Sequence, residues 1–126
     1  MAQRFSQNPT RPERAVQIWL ILIGAAYNRQ ILTYRILAEM LNYKGAGVFA
    51  DTLGHIMFYC REEKLPPLTV LVVNQETGLP GEGLTETGLN ADRERVFNFD
   101  WYDVVPPTAE ELAAAYARGI GREKTP

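Results

Sequence analysis

Tyr34, Arg35, Lys44, Gly45, Gly47, Asn74, Gln75 and Thr77 are the residues whose types and spacing suit a binding chemistry. Tyr34 and Arg35 fall in the first turn of an expected helix, where free backbone N–H groups favour a phosphate. Lys44 is followed by Gly45, Ala46 and Gly47, small residues that let the start of a helix approach a groove closely. Asn74, Gln75 and Thr77 can add polar contacts to a phosphate or to the minor groove. The competing reading is a solvated turn surface whose glycines supply positive φ angles.

Other reactive residue types are sparse. Cys60 is the single cysteine, so no internal disulfide exists, and with the single His55 it makes no metal cluster. Cys60 lies on the apolar stripe of an expected helix, which makes it a buried structural thiol. His55 sits beside Ile56 and is expected to be half exposed, without a fixed partner for general-base work. Glu110 and Glu111 read as favourable charges at a helix start. Asp100 and Asp103 flank Trp101 and Tyr102 and read as turn caps. The stretch from Leu79 to Gly83 is glycine-rich but lacks the lysine and following helix of a phosphate loop. No catalytic residue, metal site or cofactor is expected.

The chain has 126 residues and a formal net charge of −2. A chain of that length is expected to be one domain with a sizeable core. Residues 1 to 64 carry eight Lys/Arg against five Asp/Glu, and residues 65 to 126 carry five against ten. A basic amino half can meet phosphates while the acidic half faces elsewhere. The run from Ala15 to Ile23, interrupted by Gln17, is far shorter than the roughly 20 apolar residues that span a bilayer. Residues 1 to 14 lack the apolar centre of a signal peptide. These features fit an intracellular, cytoplasmic protein with no membrane partner.

The elements that must hold the binding residues read as follows. Residues 1 to 12 form an arm, residues 13 to 120 one domain, and residues 121 to 126 a frayed tail. Thr10 is a candidate cap with Pro12 in the first turn of a helix that runs to about Tyr27. Its apolar face is Val16, Trp19, Leu20, Ile23 and Tyr27, widened by Ile18, Ile21 and Leu22. Thr33 caps a second helix with Ile36, Leu37, Met40 and Leu41 inward. A third helix spans about Val48 to Lys64, with Phe49, Leu53, Ile56 and Cys60 as its core stripe, and Pro66-Pro67 stops it. Leu68 to Val73 reads as a strand, and Asn74 to Gly78 as a turn. Thr85 to Arg93 is expected to be exposed. The alternation from Arg95 to Trp101 predicts a second strand paired with the first. Thr108 and Glu111 form a capping box that opens a last helix through Leu112, Ala115 and Tyr116 to Gly119.

The segment Thr33-Tyr34-Arg35-Ile36-Leu37-Ala38 resembles the Thr-Tyr-Gly-x-Ile/Leu-Ala segment of methylated-DNA–protein cysteine methyltransferases and their non-catalytic relatives, the alkyltransferase-like proteins. The run Gly47-Val48-Phe49-Ala50-Asp51-Thr52-Leu53-Gly54 stands where that family carries its recognition helix. Leu68-Thr69-Val70-Leu71-Val72-Val73, followed by Gly78 and Gly81, stands where it carries a Pro-Cys-His-Arg-Val-Val strand and a glycine loop. The likeness covers roughly residues 14 to 84. Its departures are large: Thr69 occupies the place of the methyl-accepting cysteine, Val70 that of the adjacent histidine, and Gly47 that of the base-extruding arginine. The resemblance therefore implies a fold and a DNA-binding surface, without alkyl transfer.

The expected fold is α+β: a winged helix-turn-helix-like core with a small antiparallel sheet, a Gly/Pro wing and an added C-terminal helix. The leading function is non-catalytic binding of double-stranded DNA. Helix three would enter the major groove, and the arm residues Arg4, Arg11 and Arg14 would attract phosphates. The rival is a protein-interaction or homodimerisation module that uses the aromatic residues Phe97, Phe99, Trp101 and Tyr102 in the acidic half.

Overall fold

The computed structural model describes residues 2–43, 49–78 and 86–124. Its described elements run α1 (Arg11–Tyr27), β1 (Leu32–Thr33), α2 (Tyr34–Met40), α3 (Phe49–Glu62), β2 (Val72–Val73), α4 (Glu86–Asn98) and α5 (Ala109–Lys124). Short 3-10 turns at Leu68–Leu71 and Trp101–Asp103 precede β2 and α5. Among the described residues the protein is thus α-rich with one minimal sheet. No helix among the described residues is long and apolar enough to cross a membrane.

Local chemistry fixes the helix starts. The Thr10 hydroxyl accepts from the Glu13 N–H at 3.3 Å, and the Glu13 carboxylate accepts from the Thr10 N–H at 2.8 Å. Those bonds stabilise the charged form and hold the Glu13 carboxyl below its ordinary pKa. Thr33 accepts from the Ile36 N–H at 3.1 Å. Thr108 and Glu111 make the reciprocal pair at 3.0 and 3.1 Å. Each cap satisfies backbone donors that the helix itself cannot.

The ends of α1, α2 and α3 share one device. Arg29, Asn42 and Lys64 adopt left-handed φ angles of 54°, 52° and 57°. The next residue then folds back: Gln30 N–H donates to Ala25 O, Tyr43 N–H to Ala38 O, and Leu65 N–H to Cys60 O, each at 2.8 Å. This closure usually takes glycine. Three side-chain-bearing residues hold it here.

The core is built around α1, whose Ile18, Trp19, Leu22 and Ala26 are buried against α3, α5 and both 3-10 turns. The stripe Phe49, Leu53, Ile56 and Cys60 of α3 is buried as its spacing requires. Helix α5 lies against α3 through Leu112, Ala115 and a close approach at Gly119, where a Cβ atom would fall 2.3 Å from the Phe58 ring. Arg118 grips Glu62 across the same seam with two bonds of 2.9 and 2.8 Å, and Arg122 adds a third contact at 3.4 Å.

Several expectations are corrected. The sheet is parallel, pairing Leu32 with Val72 and Thr33 with Val73. The chain leaves β1, passes through α2 and α3, and returns in the same direction, as a crossover demands. An antiparallel sheet would have needed a strand at Arg95–Trp101, yet residues 86–98 are helical. In α4, Leu89 and Val96 are buried seven positions apart on one face, and the chain then turns at Phe99. The run expected as one strand at Leu68–Val73 is mostly 3-10 turn, with only Val72 and Val73 extended. Leu20 and Tyr27 face outward rather than into the core, and so do Ile36 and Met40 of α2, where Leu37 and Ala38 are buried instead. The expected wing at Leu79–Gly83 lies outside the described residues.

Candidate nucleic-acid interface

The parallel bridge decides which of the expected binding residues meet. Because Thr33 pairs with Val73, the chain leaves both strands at the same end. Tyr34 and Arg35 follow Thr33 into α2, and Asn74 follows Val73 into its turn. Two segments forty positions apart in the chain thus share one edge of the molecule. Lys44, Gly45 and Gly47 lie outside the described residues.

The turn is preorganised. The Asn74 side-chain oxygen accepts from the Glu76 N–H at 2.8 Å, and the Gly78 N–H donates to Asn74 O at 2.8 Å. Gly78 takes a φ of 69°, which a side chain would disfavour. Asn74, Gln75 and Thr77 are all exposed. Tyr34 is half-buried and packs against the core. The Arg35 side chain is 71% exposed and meets Glu39 one turn along at 3.2 Å. Such an exposed pair contributes little, so a phosphate can replace the carboxylate at small cost.

The other basic residues are more committed. Arg11 and Arg14 belong to α1 rather than to an arm. Arg14 is half-buried, donates to Leu41 O at 2.9 Å and to Gln17 at 3.2 Å, and lies 4.9 Å over the Tyr43 ring. It ties the end of α2 to α1, so it is a structural arginine. Arg11 lies 3.8 Å from Asp51. Arg29 pairs with Glu94 at 2.6 Å and sits over Phe97. Helix α3 has seven buried residues and is covered by α1 and α5. In its first turn Phe49 and Thr52 are buried while Ala50 and Asp51 are exposed, and Asp51 also accepts from the Tyr116 hydroxyl at 3.3 Å.

His55 departs from its expected half exposure: it is 3% exposed. Its ring stacks on Tyr116 at 4.2 Å, with Nδ1 2.8 Å from Asp51 O. A carbonyl only accepts, so Nδ1 carries the proton of the neutral ring. Burial lowers its pKa, and the nearby Arg11 charge adds to this against the opposing pull of Asp51. Cys60 is buried as expected, and burial pushes its thiol up to about 12. At neutral pH it is therefore no nucleophile. Among the described residues no group of three or more His, Cys, Asp or Glu is arranged to hold a metal ion.

A second concave feature lies where α1 ends against the segment 97–102. It is a half-open cavity of about 260 Å³ lined by Ile23, Tyr27, Asn98, Asp100 and the aromatic residues Phe97, Phe99, Trp101 and Tyr102. Sequence reasoning found the four aromatics but assigned Tyr27 to the core and gave Asn98 no role. The available signal was the position of Tyr27, an aromatic at the very end of α1 next to the polar run Asn28-Arg29-Gln30. Compared with known proteins, the chain matches no family model, no curated protein and no solved structure.

Proposed function

We propose that the protein is a non-catalytic nucleic-acid-binding module that meets the backbone of double-stranded DNA at the shared end of β1 and β2. The observation that carries this reading is the parallel register, which sets the start of α2 beside the Asn74–Gly78 turn. Arg35 supplies an exposed guanidinium, and Asn74, Gln75 and Thr77 supply polar groups on a fixed turn. At the start of α3 Ala50 is small and exposed, which suits close approach to a groove, and the partners of Asp51 soften its repulsion of phosphate. The resemblance to alkyltransferase-like proteins points the same way. The burial of Cys60 argues against that family's covalent chemistry at this thiol.

With Arg11, Arg14 and Arg29 already engaged and a net charge of −2, affinity should be modest and its salt dependence shallow. A surface that neutralises two or three phosphates gives a slope of log affinity against log salt of about −2 to −3. Fluorescence anisotropy with short duplex DNA across a salt series reads this directly. Arg35→Glu combined with Lys44→Glu should weaken binding about tenfold or more while the thermal melt stays within a few degrees. Duplex binding that is absent at low salt, or unchanged in this variant, would remove the interface.

A further inference from the structure

The cavity between the end of α1 and residues 97–102 has a chemistry of its own. Tyr27 and Tyr102 are 74% and 63% exposed, and their rings meet edge to face at 5.9 Å. Phe99 and Trp101 meet in the same manner at 4.6 Å behind them. The wall is rigid, because the Trp101 indole N–H donates to Val96 O at 2.8 Å and the Trp101 ring abuts Trp19. Asp100 lines the cavity, and Asp103 stands exposed one 3-10 turn later. Among the described residues neither carboxylate makes an ion pair.

The volume limits the occupant. A cavity of about 260 Å³ falls below the roughly 300–1,000 Å³ of sites for drug-sized ligands. It suits one long side chain. Aromatic faces attract a cation, and an unpaired carboxylate beside them completes the charge match. The chain already displays this preference at the cavity wall, where the Arg29 guanidinium lies 4.8 Å over the Phe97 ring.

The geometry points to a socket for a lysine or arginine side chain of a protein partner. The alkyl stem would lie along Ile23 and the rings of Phe97 and Phe99. The charged head would meet the faces of Tyr27 and Tyr102 and the carboxylate of Asp100. This surface is separate from the β1–β2 edge, so the two binding activities stand or fall independently.

The test uses the full chain, labelled with ¹⁵N, and three small probes: the Nα-acetyl amides of lysine, arginine and norleucine. Norleucine keeps the lysine stem without the ammonium group. Lysine and arginine amides should give saturable shifts of the Trp101 indole N–H and of the amides of Phe97, Asn98, Asp100 and Tyr102. Norleucine amide should bind about threefold weaker or worse, the ratio expected for one solvent-exposed cation–π contact. Asp100→Asn and Tyr102→Ala should each shrink that preference with an unchanged melt, because both residues are exposed. Equal binding of norleucine and lysine amides would overturn the cationic socket. So would shifts that never saturate, shifts that centre elsewhere, or a preference that survives both substitutions.

Discussion

Gly119→Ala probes the seam on which the fold depends. A Cβ atom there would lie 2.3 Å from two carbons of the Phe58 ring and 2.6 Å from a third. Ordinary contact is about 3.5–4.0 Å, so ring or helix must yield by more than an ångström. Phe58 is buried beside Tyr116, at 6.0 Å between ring centroids, with Arg61 5.4 Å over its ring, so it moves only by displacing neighbours. Overpacking of this kind costs about 1–3 kcal/mol. Alanine returns up to about 1 kcal/mol of helix propensity within α5. Because the clash demands a shift of more than an ångström, the cost should fall in the upper part of that range, and the net expectation is a loss of about 1–2 kcal/mol. Urea denaturation followed by tryptophan fluorescence measures it, with a lower midpoint at unchanged slope. Phe58→Leu in the same background should recover part of the loss, because the branched side chain vacates the ring's position. A Gly119→Ala protein as stable as the parent, or more so, would refute the argument that α5 and α3 touch through a glycine.

Three further expectations follow from buried or strained residues. His55 has a folded pKa below its unfolded value, so the unfolded chain binds the extra proton and stability falls with acidity. The contribution is full above the unfolded pKa of about 6.5 and is lost progressively as pH falls toward the folded value. His55→Phe, which keeps the ring stack on Tyr116, should flatten the stability profile below about pH 6.5, and a profile unchanged by the substitution would count against the assignment. Cys60, with its thiol raised to about 12, should resist alkylation in the native state at pH 8 and react at the rate of chain opening; labelling as fast as a free thiol would refute its burial. Lys64→Gly should raise stability by about 0.5 kcal/mol, since glycine removes the left-handed penalty at φ 57° and returns part of it through the unfolded chain; a loss in the urea midpoint would show that the lysine side chain holds something else.

What could be read from the residues depends on how local the cause is. Thr10, Thr33 and Thr108 announce their helices because a cap acts within three residues. The stripe Phe49, Leu53, Ile56 and Cys60 on α3 was equally legible, since its spacing repeats with the helix, whereas the burial of Phe58 on the opposite side against α5 was not. Helix α4 was not, because only Leu89 and Val96 among its described side chains are buried, too few to set a period. Aromatics at 97, 99 and 101 imitated strand alternation, although they span a helix end and a 3-10 turn. In α2, seven residues are too few for propensity to decide the facing. The tie from Arg14 to Leu41 O and the bridge to β2 set it instead, turning Met40 out. For the binding residues, the sequence named Arg35 and Asn74 without showing that their segments start from one edge. That placement rests on the pairing of positions 32 and 72, which no local pattern encodes.

That contact also orders events in folding. Closing a forty-residue loop costs ~3 kcal/mol of chain entropy. A bridge of two residue pairs offers only a few backbone hydrogen bonds, each worth about 1 kcal/mol net. The bridge is therefore a poor nucleus, and it is expected to form after α1 and α3 have docked and brought its halves together. The edge carrying Arg35 and Asn74 would then be assembled late and released early. In hydrogen exchange, the amides of Leu32 to Thr33 and Val72 to Val73 should open in sub-global events while the centre of α1 is still protected. Loosening the α3–α5 seam from the far side would then raise the fraction of molecules without an assembled edge well before the protein unfolds.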